Sequence, residues 1–492
     1  MSKKTPSLIV SLIPLLSLIT LLAINVKVFA DDASYGPNQI ALLLSSVIAA
    51  FLGIFHLKLS YKQIEKKIVD SIGLAMQANL ILLTVGALIG VWILSGIVPT
   101  MVFYGMEMIN PSIFLVVSCL ICSVVSLATG SSWSTGGTVG IALIGVGTAI
   151  GIPVEMVAGS VISGSYFGDK MSPLSDTTNL APATAGSDLF SHIRHMMFST
   201  FPTYTITLVI FFVIGLNYGG ENFDAESVSL LSSTIKENFY IGPVLFILPG
   251  LVLLMVMKKV PALPALVVGT ILGALFVVIF QQKLLLNLMG GEFTLIGAYK
   301  VILNASFSGF SFESGNPMVD KLFNRGGMSG MLNTIWLIIM AMSFGGVMEG
   351  TGMLGKLADT VLKMVRGTAS LVGATIGSAL VFNVTASDQF LAIVVTSKMF
   401  KNAYKKLGLD PVNLSRAVED SATVTSVLVP WNTCAAYFAS VLGVSTFAYL
   451  PYCYFNLISP LMSFLLAATG FSMIKARETI QQHAQEQAAP VS

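Results

Sequence analysis

Charged side chains are scarce in this 492-residue chain. Asp, Glu, Lys and Arg make up 10 % of it, where a soluble domain carries about 25 %. That shortage excludes a disordered chain and an ordinary soluble enzyme, which need charge to stay in water. The formal net charge is only +2, too small to attract a polyanion, so nucleic acid is not an expected partner. Cysteine is sparse too. Its four copies build no disulfide framework. Cys119-x-x-Cys122 stands among Leu, Ile and Val without a second pair, and reads as small core packing rather than a redox or metal site. GxSxG, HExxH and a nucleotide-binding glycine loop are all missing, so an intramembrane enzyme is not expected. No soluble domain and no cofactor are expected either.

Apolar residues fill the gap. They make up 54 % of the chain, and mean hydropathy is +0.83. So much apolar surface needs a solvent other than water. A bilayer span takes about 20 residues, so this length accommodates roughly 11 to 14 spans. The first apolar stretch covers about 8–29 and follows Lys3 and Lys4. Val28-Phe29-Ala30 before Asp31 and Asp32 resembles a signal-peptidase site. A secretory apolar core is usually about 7–15 residues, so this longer stretch reads as an uncleaved first span. Several later stretches, among them 139–167, 368–397 and 412–447, are too long for one straight span and contain Gly, Pro or a carboxylate. They read as broken helices or hairpins.

Basic loops set the orientation. Lys58, Lys62, Lys66 and Lys67 crowd one loop, Lys258 and Lys259 another, and Lys398, Lys401, Lys405 and Lys406 a third. Loop 217–238 instead carries Glu221, Asp224, Glu226 and Glu237. The basic loops and both termini are placed in the cytoplasm, and the acidic loop outside. The expected plan is N-terminal helices over 1–70, a first half over 71–238, a second over 239–475 and a polar tail over 476–492. Together they form one multi-pass transporter unit of the cell membrane, with the lipid bilayer as its surroundings. Gly86/Gly90, Gly136/Gly140, Gly164/Gly168, Gly346/Gly350 and Gly373/Gly377 fit GxxxG, a close-packing signal in lipid.

The chemistry gathers in four polar places. Residues 126–138 are almost all Ser, Thr or Gly, with Ser131, Ser132 and Thr135 at their centre. Hydroxyls and freed carbonyls are hard ligands for a small cation, and helix ends exposed there suit a carboxylate. The run 168–179 breaks an apolar stretch at Pro173 and brings Asp169, Ser172, Ser175, Asp176, Thr177, Thr178 and Asn179 together. Carboxylates at membrane depth are functional by default. In the second half, Asn383, Thr385, Ser387 and Asp388 form another polar break. Glu419 to Thr433, with Asp420, Asn432 and Thr433, follows about as far on as before. Pro173 lies 20 positions after Pro153, and Pro430 lies 19 after Pro411. Broken segments at matching places in two halves point to a transporter site at the midplane.

Other residues carry weaker signals. His192 and His195 flank Arg194 and suit an interfacial or pH-sensing cluster better than a metal pair. Glu349 reads equally as a proton-linked carboxylate or an interface residue. Arg194 and Arg416 are candidate counter-ions for a carboxylate, or snorkelling residues.

Gly130-Ser131-Ser132-Trp133-Ser134-Thr135, the string Gly168-Asp169-Lys170-Met171-Ser172-Pro173-Leu174-Ser175-Asp176-Thr177-Thr178-Asn179, and His192-Ile193-Arg194-His195 carry a family likeness. So do Phe344 to Glu349 and the 419–433 block. They resemble the NhaC family of Na⁺/H⁺ antiporters, from about residue 60 to 475. The resemblance implies an all-α polytopic membrane protein with two inverted repeats, re-entrant hairpins and broken helices. It also implies elevator-type movement in a homodimer. Tips would fall at 126–138 and 383–389, and unwound helices near Pro173 and Pro430. The expected ion-binding set is that of the four polar places, with Na⁺ itself on Asp176, Thr177, Asp388 and Asn432. The expected function is exchange of Na⁺ for H⁺. Coupled antiport of a small organic anion or amino acid, malate- or lactate-like, stays open as the alternative. An ion channel is disfavoured because one symmetric filter motif is missing.

Overall fold

The computed structural model describes residues 5–29, 33, 35–108, 110–218, 225–363 and 365–476. The signal-peptidase-like Ala30–Asp32, Lys3, Lys4, Glu221, Asp224 and the tail from residue 477 lie outside them. Among the described residues the chain is helical throughout, and its one β-contact is the isolated bridge Leu409↔Lys475. Among the described residues eight helices are long and apolar enough to cross a bilayer, or ten with two bent pairs counted as spans. The first is Leu8–Phe29. The total is below the sequence expectation because the broken segments yield short pieces. Asp176–Ala185 and Thr433–Leu442 have only 10 residues each.

Long apolar stretches are indeed interrupted. Stretch 139–167 divides at Gly151, whose φ is 82°, and Pro153 then precedes helix Val154–Met171. That helix packs along Phe114–Thr129 at very close range. A Cβ on Gly164 or Gly168 would collide with the backbone at Cys119 and Ser123. Gly164/Gly168 is therefore a working small-residue pair, whereas Gly377 has open space around it and its GxxxG match is chance. All four cysteines are buried and free, in agreement with the packing role.

Two hairpin turns share one backbone design. Helix Phe114–Thr129 ends at Gly130 in the left-handed region (φ 70°), and extended Ser131 then caps the helix that starts at Ser132. Helix Thr368–Thr385 ends near Ser387, also left-handed (φ 59°), and extended Asp388 caps helix Gln389–Lys406. The two breaks also match. Extended Ser172 and Val429 each precede a proline. Two residues after the proline, Ser175 (φ −71°, ψ 136°) and Asn432 (φ −73°, ψ 146°) cap the next helix.

Candidate functional site

Four helices therefore begin beside one another, each with an oxygen-bearing cap. Ser131 Oγ accepts from Ser134 N at 3.1 Å, and Ser175 Oγ from Thr178 N at 3.3 Å. Asp388 Oδ1 accepts from Leu391 N at 3.0 Å, and Asn432 Oδ1 from Cys434 N at 3.1 Å. These caps satisfy donors that a helix start leaves open.

A cavity of about 600 Å³ opens between the four helix starts. The first half contributes Ser131, Ser134, Asp169, Ser175, Asp176, Thr177 and Asn179; the second contributes Asp388, Gln389 and Thr433. The two hairpin turns therefore meet at one cavity, as the sequence pattern requires. Contacts across the halves fix this arrangement. Trp133 stacks on Tyr437 at 4.2 Å, and Tyr437 Oη donates to Trp133 O at 2.7 Å. Within the second half, Thr433 N donates to Ser387 O at 2.9 Å.

The carboxylates differ in setting. Asp169 is 7 % exposed, and its Oδ2 accepts from Ser132 N at 3.0 Å and Ser132 Oγ at 2.6 Å. Asp388 is 5 % exposed, and its Oδ2 accepts from Thr433 Oγ1 at 3.2 Å. Asp176 is exposed on the cavity rim, in the first turn of its helix.

Most of the other expected site residues fall behind the wall. Asn432 Nδ2 donates to Asn383 O at 3.2 Å, and Asn383 Nδ2 to Ala422 O at 2.8 Å. Thr135, Thr385 and Ser172 bond to backbone carbonyls of Ser131, Val381 and Leu127. Asn179 lines the cavity, but its amide is spent on Pro173 O and Ser175 O. Of the four residues expected to hold Na⁺, Asp176, Thr177 and Asp388 line the cavity and Asn432 does not.

Several important residues escaped the sequence reading. Lys170, fully buried, forms an ion pair with Asp420 across the two halves. Glu419 is fully buried beside it. Lys259 lines the cavity as well, and so do Trp133 and Ser134, whose Nε1 and Oγ have no hydrogen-bond partner among the described residues. Lys170 and Glu419 stand inside the quoted motifs, but only the folded contact between halves shows what they face.

The weaker candidates separate cleanly. Glu349 pairs with Lys67 at 2.8 Å, both half-exposed. That carboxylate holds the Lys67 ammonium above its ordinary range. Arg194 is exposed, while Arg416 is buried and donates to Ser472 Oγ at 2.6 Å. His192 Nδ1 lies 2.8 Å from Ser415 Oγ. Among the described residues no group of three His, Cys, Asp or Glu could hold a metal ion.

The profile of the Na⁺/H⁺ antiporter family matches residues 164–471, from the helix before the first break to the last helix. The chain belongs to that family. It is 38 % identical to the malate-2H⁺/Na⁺-lactate antiporter of Bacillus subtilis, over 91 % of this chain and 92 % of that one. It is 36 % identical to the Na⁺/H⁺ antiporter NhaC of Alkalihalophilus pseudofirmus, over 89 % and 91 %. It is 31 % identical to the arginine/ornithine antiporter ArcD of Halobacterium salinarum, over 96 % and 94 %. As a member of this family built on long apolar helices, the chain is a multi-pass membrane protein.

Proposed function

We propose that this protein is a secondary antiporter that exchanges Na⁺ for H⁺ across the cell membrane. The observation that carries this reading is the meeting of two buried carboxylates, Asp169 and Asp388, at one cavity built from both halves. A buried carboxylate needs a counter-charge, and either Na⁺ or a proton supplies it. Competition between the two is enough for exchange. The cation is held by Asp388 and Thr177, with Asp169 and Thr433 as further oxygens in place of the exposed Asp176 and of Asn432. The protein performs no chemistry on its cargo and needs no cofactor beyond the ion it carries.

The matched turns and breaks support two inverted repeats with re-entrant hairpins; elevator-type movement in a homodimer belongs to the same proposal and rests on the family resemblance alone. Proteoliposomes test the main reading. With an acidic lumen, the imposed pH gradient should drive ²²Na⁺ uptake as H⁺ leaves, and an outward Na⁺ gradient should acidify the lumen as H⁺ enters in exchange. Failure of both would end it.

A second reading is favoured by cavity size. About 600 Å³ is far more than a bare cation fills, and the lining adds Lys259 and hydroxyl donors from Ser131 and Ser134. A small organic carboxylate fits that lining, and the Bacillus subtilis relative is named for malate and lactate. Stimulation of Na⁺/H⁺ exchange by malate, lactate or an amino acid in the same vesicles would select it.

A further inference from the structure

Behind the cavity wall, helix Pro411–Val418 widens into a π-turn, Glu419–Thr423. Such turns recur at functional sites. Glu419 and Asp420 are fully buried, and Thr423 is 1 % exposed. Asp420 uses one oxygen on Lys170. Both carboxyl oxygens of Glu419, the other oxygen of Asp420 and the hydroxyl of Thr423 have no partner at hydrogen-bond distance and angle among the described residues, although the Thr423 and Thr177 hydroxyls stand close enough to Glu419 to act on it. Four orphaned oxygens on one buried turn are costly unless something positive binds them.

The surroundings define what that is. Glu419 faces Thr423, Asp169, Thr177 and Lys170. Asp169 and Thr177 also line the cavity, so the turn sits one side chain behind it. Arg416 acts on Asp420 from the preceding helix. The fully or largely buried charges are then Asp169, Asp388, Glu419 and Asp420 against Lys170 and Arg416. Four acids and two bases leave two negative charges, one for the cation in the cavity and one at the turn. The segments packed on the turn carry the exposed Asp176 on one helix and Asp388 at the start of helix Gln389–Lys406. That helix also carries Tyr404, bonded to Thr375, and four exposed lysines. Helix Tyr454–Thr469 adds Tyr454, and helix Thr368–Thr385 carries no charged group. Carboxylate and hydroxyl oxygens with no sulfur or imidazole suit a hard ion, and one residual charge suits a monovalent one.

We infer that Glu419, with the hydroxyls of Thr423 and Thr177, forms a second site for a monovalent cation of the Na⁺ class, reached from the cavity past Thr177. The inference rests on the reading that the protein carries Na⁺, and it raises the number of ions bound per chain to two.

Saturation binding of ²²Na⁺ to the purified full chain tests it, with Na⁺-dependent transport in proteoliposomes alongside. The wild type should bind two ions, and its Na⁺ dependence should be sigmoidal, with a Hill coefficient approaching the number of sites. Glu419→Gln should bind one ion and give a hyperbolic curve. A wild type that binds one ion leaves Na⁺ exchange standing and overturns the second site alone; one that binds none defeats the exchange reading itself. A Glu419→Gln variant that still binds two ions, or that loses only Na⁺-driven proton movement, overturns the site. Should Glu419→Gln fail to fold, Thr423→Val decides the matter, because it keeps the shape and deletes the hydroxyl. It should raise the half-saturating Na⁺ concentration about tenfold or more, and an unchanged value overturns the proposal.

Discussion

Asp388 combines two jobs that substitution can separate. It caps helix Gln389–Lys406 and carries a charge into the cavity. Asn caps a helix as well as Asp does. Asp388→Asn should therefore keep the fold and its thermal midpoint while Na⁺-driven proton movement falls to background. Loss of folded protein would show instead that the charge itself is structural. Asp169→Asn should behave alike, since its amide still accepts from Ser132. Asp176 belongs to a different class. The sequence places it in the same Ser/Thr-dense string as Asp169, but the fold leaves it exposed at the rim. A solvent-screened charge is worth up to about 1 kcal/mol, so Asp176→Asn should change apparent Na⁺ affinity by no more than about fivefold. Abolished exchange in that variant would put Asp176 back among the ligands. Sequence spacing identified which carboxylates lie near the breaks. It could not rank them, because burial depends on which side of Pro173 faces the other half.

The hairpin turns were legible as elements because Ser, Thr and Gly interrupted apolar runs where no charge marked a loop. Their geometry was less legible. Gly130 and Ser387 hold the same left-handed position, and only the first is a glycine. A left-handed residue with a Cβ costs about 1–2 kcal/mol, part of which a glycine returns as lost chain entropy. The Ser387 hydroxyl has no partner among the described residues, so removing it forfeits no hydrogen bond within the protein. Ser387→Gly should raise stability by roughly 0.5–1 kcal/mol, read as a higher unfolding midpoint in detergent. If the variant is more stable but transports poorly, the hydroxyl serves the cargo. The reverse change, Gly130→Ala, should destabilise. Its Cβ would stand 2.6 Å from the Leu174 carbonyl carbon, at the break itself. The span count failed at this scale for a related reason. Apolar length measures contact with lipid, and a helix broken inside the protein need not be long.

Across the whole molecule the least legible feature was the contact between halves. Composition, topology and the repeated polar places all concern one segment at a time. The Lys170–Asp420 pair joins residues 250 apart in sequence. Nothing in either local pattern says that one answers the other. Yet Lys170 follows the cavity carboxylate Asp169, and Asp420 follows Glu419, so the pair ties both functional strings together. Removing both ions from water is costly, and a buried pair is often no more stable than an apolar pair of similar volume. Breaking it from one side is another matter. Lys170→Met leaves Asp420 buried and uncompensated, and should cost about 3–5 kcal/mol. The double variant Lys170→Met with Asp420→Leu removes both charges and should recover most of that loss. Thermal unfolding of the purified variants measures the difference. If the pair exists to register one half on the other, the recovered double variant should still transport Na⁺ more weakly than the wild type, since hydrocarbon packing fixes no single alignment of Asp169 and Asp388. A double variant no more stable than Lys170→Met would mean that the buried charges are compensated by something other than each other, with Arg416 the next cation in reach of Asp420.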